Sequence, residues 1–132
     1  NVLQPGDVIR VRLQGIATAT NSTDTLTIKL YIGGLSGSVV VATGAVDVAD
    51  NDIFVIDADI VIRTNGATGT FVAAGMWNLG VEGTATFRAA KKASTTIDTT
   101  AAQVIGASAT WSVASSGNSC RLDVLDVQLL RR

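Results

Sequence analysis

Val, Ile, Leu and Thr recur at every second position in short runs along this chain, and each run closes on Gly, Asn, Ser or Asp. A period of two marks a half-buried β-strand, because successive side chains leave opposite faces of the pleat. From Asp7 to Gln14, Ile9, Val11 and Leu13 share one face and Arg10, Arg12 and Gln14 the other. Leu26, Ile28, Leu30 and Ile32 alternate in the same way with Thr25, Thr27, Lys29 and Tyr31, and Gly33-Gly34 ends the run. Ser38 to Thr43 is β-branched without polar alternation, as expected of a strand covered on both faces or packed beneath a neighbouring subunit. A long strand then sets Phe54, Ile56, Ala58, Ile60 and Ile62 inward and Asp57, Asp59 and Arg63 outward. Asn65-Gly66 follows it, a strong hairpin signal.

Thr70 to Asn78 is apolar on both faces, with Phe71, Ala73 and Trp77 opposite Val72, Ala74 and Met76, which predicts a central strand. Val81 to Lys91 alternates again, and the polar stretch Ser94 to Thr100 reads as a crossover. Gln103 to Val113 aligns Ile105, Ala107, Ala109 and Trp111. The last strand starts with Cys120, Leu122 and Val124 in phase and then switches to Leu125, Val127 and Leu129. One added residue flips every later side chain, so a β-bulge is expected near Leu125 or Asp126. No stretch carries a helical period of useful length. About eight strands punctuated every 8–12 residues or so predict an all-β antiparallel sandwich or barrel, as a single domain over residues 1–132.

Composition narrows the function. Histidine is absent, which removes the commonest general base and the commonest metal ligand. The 10 basic and 11 acidic residues make up 16% of the chain, against about a quarter in an average soluble domain. So thin a coat of charge predicts that part of the surface is covered by other subunits, because large apolar patches rarely stay exposed on a monomer. A net charge of −1 with no basic stripe argues against nucleic acid. The apolar runs are far too short for a membrane helix, and the aromatic residues are too few for the two girdles of a membrane barrel. Cys120 is the single cysteine and is expected as a small buried hydrophobe. The chain opens at Asn1 without a charged-then-apolar leader, as expected of a processed product or a domain of a longer protein.

Candidate chemistry is sparse. The acidic loop with Asp47, Asp50 and Asp52 is the one possible ligand loop. Its spacing lacks the order of an EF-hand, so local Asx turns in a solvated loop are expected, with calcium the alternative. Asp57 and Asp59 lie two apart on one strand, near the separation of a glycosidase acid pair, but without an aromatic platform beside them in sequence. The serines and threonines have no histidine or Ser-x-x-Lys motif to activate them. No catalytic, cofactor or metal site is predicted. Phe71, Trp77, Phe87, Trp111, Val127 and Leu129 are the expected core or interface residues.

Four stretches resemble a widespread kind of bacteriophage virion protein, the small β-sandwich of tail-fibre, head-fibre and capsid-decoration proteins. Leu3-Gln4-Pro5-Gly6-Asp7-Val8-Ile9-Arg10-Val11-Arg12 with Gly15 is similar to their opening strand, and Leu26 to Gly34 resembles their second. Ile60 to Thr70 is similar to the central hairpin, and Ala109 to Val113 with the turn Ser115 to Ser119 to the closing one. The resemblance implies a jelly-roll sandwich, commonly trimeric, on the virion exterior. It would be a non-enzymatic decoration or fibre-knob module that self-associates and docks to capsid or fibre protein. The long shaft or anchoring segment usual in fibre proteins is not found in these residues. The alternative is a carbohydrate- or receptor-binding module of a tail fibre that takes a host-surface glycan at the Asp47 to Asp52 loop, which would need an exposed Trp or Tyr beside it.

Overall fold

The computed structural model describes residues 3–21, 23–80 and 86–132. It is all-β, with two antiparallel sheets packed face to face as a sandwich. The strands are β1 (Val8–Thr18), β2 (Thr25–Ile32), β3 (Ser38–Ala42), β4 (Val46–Asp47), β5 (Asp52–Thr64), β6 (Gly69–Gly80), β7 (Arg88–Ile97), β8 (Ile105–Trp111) and β9 (Ser119–Leu130). One sheet runs β7-β6-β5-β1-β9; in the other, β2 is flanked by β3 and β4 on one side and by β8 on the other. β1 pairs with β9 and β2 with β8, and β5, β6 and β7 form an up-and-down meander beside β1.

Alternation becomes burial almost residue for residue in the middle strands. Ile9, Val11 and Leu13 of β1, Leu26 to Ile32 at every second position of β2, and Phe54, Ile56, Ala58, Ile60 and Ile62 of β5 form one core. Trp77, Leu79 and Ile97 extend it at the β6–β7 side. At Asn65-Gly66 the chain reverses between β5 and β6. Gly66 takes a φ of 111°, and its amide donates to Thr99 Oγ1 at 2.8 Å.

Several expectations are corrected. The bulge lies at Asp123, because Gln14 of β1 faces Val124 while Gly15 faces Leu122. The pattern misplaced it because Val124 and Leu125 are both apolar, so the change of phase has no polar marker. Ser94 to Ile97 is not crossover but the end of β7, with Thr95 to Ile97 paired with Gly69 to Phe71, where β-branched threonines suit a strand and Ile97 turns inward. β6 does have a strand on each side, but its outer face is open, with Ala74 and Met76 exposed. β3 is an edge strand, and Val40 and Val41 are both buried because the register shifts there, not because both faces are covered. Of the expected strand Val81 to Lys91, residues 81–85 lie outside the described residues, and β7 begins at Arg88.

Candidate functional site

In the acidic loop the carboxylates of Asp50 and Asp52 bond to groups close by in the fold. Asp52 is buried and its Oδ2 accepts from the Ala49 amide at 2.9 Å. Asp50 Oδ1 accepts from Asn51 Nδ2 at 3.0 Å, while the Asn51 amide donates to Thr18 Oγ1 at 3.1 Å. Asn51 sits at a φ of 57°, a left-handed conformation that asparagine tolerates better than most residues. Asp47 is exposed and pairs with Thr25 in the ladder. Among the described residues no three acidic or cysteine side chains converge on a point that could hold an ion.

Asp57 and Asp59 stand on the outer face of β5, each opposite an arginine of β1. Asp59 Oδ1 lies 2.9 Å from Arg10 Nε, and Asp57 Oδ1 lies 3.5 Å from Arg12 Nε, with all four side chains about half exposed. The hydrogen bond and charge of Asp59 raise the pKa of Arg10 further. The shallow depression beside them, floored by Ala74, Gly75 and Met76, opens on a sheet face and not into a cleft. These acids are tied up as ion pairs on an open surface.

The aromatic residues divide. Phe71 and Trp77 are buried in the core, and the Arg88 guanidinium stacks over Trp77 at 5.3 Å from its centroid. Phe87 is exposed at 56%. Trp111 is half-buried on the core-facing side of β8, beside its ladder partner Leu26 of β2. Tyr31 is half-buried, and its hydroxyl bonds Ser108 Oγ at 3.2 Å. Neither ring offers an exposed platform beside the acidic loop.

What the structure brings together is different. On β9, Leu125, Val127 and Leu129 stand opposite Leu13, Val11 and Ile9 of β1, on the same inward face. The β1 residues are 0%, 0% and 6% exposed; their β9 neighbours are 50%, 45% and 43% exposed. On the other sheet, Ile105, Ala107, Ala109 and Trp111 of β8 face Ile32, Leu30, Ile28 and Leu26. Yet Ala107 and Ala109 are exposed and Ile105 and Trp111 only half-buried. The sandwich is therefore thinly covered along the β8–β9 side: among the described residues Ile105, Trp111 and Cys120 pack against the margin of the core, while Ala107, Ala109, Leu125, Val127 and Leu129 stay exposed. At one end of this seam Ile105, Val127 and Leu129 line a hollow with Leu3, Ile9 and Arg131. Cys120 faces the seam, half-buried, and that burial pushes its thiol pKa up.

β9 is a long strand edge whose C-terminal half, Val124 to Leu130, has no register shift and one charged residue, Asp126. β7 carries Arg88, Lys91, Lys92 and a register shift, and β3 is five residues long with its own shift; these are the usual defences against edge-to-edge pairing. β9 runs for 12 residues without lysine or proline and displays Leu122, Val124, Leu125, Val127, Leu129 and Leu130 at 37–50% exposure. Of the residues singled out from sequence, Val127 and Leu129 belong to this surface, Trp111 lies at its margin, and Phe71 and Trp77 do not take part. The partial exposure of β8 had no sequence signal, because an inward-facing residue in an edge strand reads the same whether or not something covers it. Compared with known proteins, the chain matches no family model, no curated protein and no solved structure.

Proposed function

We propose that this chain is a non-enzymatic structural protein of a bacteriophage virion, an exterior decoration or fibre-knob module that works by associating with copies of itself and with capsid or fibre protein. The observation that carries the reading is the open β8–β9 seam. Side chains patterned for a core are left half exposed along both strands, in a chain with a thin coat of charge. A contiguous patch of this kind on a soluble protein marks an interaction surface. The resemblance of the opening strand, second strand and two hairpins to phage virion β-sandwiches supplies the setting.

The test is fractionation. Particles from the culture that encodes the chain are banded on a density gradient, and the protein is followed by immunogold electron microscopy. The expected result is label on the outside of intact virions. Protein that stays wholly in the soluble fractions, as single chains at every concentration, overturns the reading.

A further inference from the structure

We infer that β9 pairs antiparallel with β9 of a second copy about a two-fold axis at Val127, joining the two five-stranded sheets into one. The inference rests on the reading of the seam as an association surface and says which contact forms along its β9 edge.

A two-fold contact is isologous, so the strand must be complementary to itself. When two copies of one edge pair in a continuous sheet, the axis stands perpendicular to the sheet and passes through a residue that meets its own twin. Val124-Leu125-Asp126-Val127-Gln128-Leu129-Leu130 meets this condition, since it reads apolar, apolar, polar, Val, polar, apolar, apolar in both directions. With Val127 at the axis, Leu125 faces Leu129 of the second copy on the inward side, and Val127 faces its twin. On the outward side Asp126 faces Gln128 and Val124 faces Leu130. Within each chain Gln128 Nε2 already donates to Asp126 Oδ2 at 2.8 Å, so the pairing brings a second amide donor to each carboxylate.

Charge fixes the register. Moving the axis one residue back sets Asp126 against its own twin; moving it one residue forward sets Asp126 against Leu130. Within Val124 to Leu130 the Val127 register brings no like charges together and no charge against an apolar residue. The Asp123 bulge, where the β1–β9 ladder slips, marks the end of the flat segment. The pairing also satisfies the unpaired backbone groups of an edge strand and sets the apolar side chains of the two edges against each other as cross-strand pairs.

The experiment is a cysteine scan in a Cys120→Ala background, alongside mass measurement by light scattering on the unmodified chain. In the inferred register Val127→Cys sets two thiols on Cα atoms about 4.5–5.5 Å apart, within disulfide range. Leu125→Cys separates them by about 14 Å along the strand. The expected result is a two-copy mass and an oxidised covalent dimer from Val127→Cys but not from Leu125→Cys. Gln128→Asp, which puts like charges opposite each other twice per dimer, weakens the dissociation constant by about 2- to 30-fold, and Gln128→Lys tightens it. A three-copy mass, a dimer without Val127 cross-linking, or indifference to both Gln128 changes overturns the β9 pairing while leaving association as the function. A single-copy mass at all concentrations overturns both.

Discussion

Gly15 of β1 lies directly across the ladder from Phe54 of β5, and the phenyl ring occupies the space that a side chain on Gly15 would fill. On the other flank the Arg121 carbonyl closes the remaining room. This glycine stands where the chain needs absence of volume, at the point where the β1–β9 register slips. Gly15→Ala is therefore expected to destabilise the sandwich by about 1–3 kcal/mol, the usual cost of overpacking. Urea unfolding at an unchanged m-value measures it, and a variant as stable as the parent would show that β9 moves aside freely.

The middle and the margin of the same sheet should respond differently to the same truncation. Leu13 and Leu125 are ladder neighbours on one face, but Leu13 is fully buried and Leu125 is 50% exposed. Leu13→Ala opens a cavity under both sheets and is expected to cost about 2–5 kcal/mol. Leu125→Ala, measured at concentrations where single chains prevail, should stay near the ±0.5 kcal/mol of ordinary surface changes. Equal losses would mean that β9 is covered by its own chain.

That contrast marks how far the sequence could be read. Period-two alternation located β1, β2 and β5, because in these strands facing inward and being buried are the same thing. The two failures of phase have local causes: Val124-Leu125 gives a bulge no polar marker, and the threonines at the end of β7 look like loop by polarity though their β-branching suits a strand. The seam was legible only in part. Leu125, Val127 and Leu129 show their orientation in the pattern, whereas their exposure depends on which strand lies over them, a matter of pairings between residues far apart along the chain. The thin charge coat hinted at such a surface without locating it.

At the β7–β8 connection, Asp98 Oδ1 accepts from Thr100 Oγ1 at 2.6 Å and from the Thr100 amide at 2.9 Å. These bonds hold the carboxyl below its usual 3.8, the hydroxyl contributing most. A depressed folded value means the group favours the folded state at neutral pH, and this contribution disappears as pH falls from near 4 through the folded value. Thr100→Val removes the hydroxyl and leaves the amide. NMR titration of the Asp98 carboxyl is expected to move up toward 3.8 in that variant without reaching it, and an unmoved titration would mean that the hydroxyl bond is not formed in solution.

The thiol of Cys120 supplies a probe of the seam that needs no substitution. Burial raises its pKa from 9.0, so thiolate, the reactive form, is scarce at neutral pH. The sign for stability follows: the folded chain holds this proton more tightly than the unfolded one, so its contribution is intact below the unfolded value and is lost as pH climbs past it. Alkylation by iodoacetamide at pH 7.5 is therefore expected to be slow in the folded protein, to accelerate in urea, and to rise with pH through and beyond 9.0. Cys120 faces the seam from β9. If association covers that side, labelling at a fixed pH should slow further as protein concentration rises. A rate that matches free cysteine and ignores concentration would place Cys120 on an open, uncovered edge.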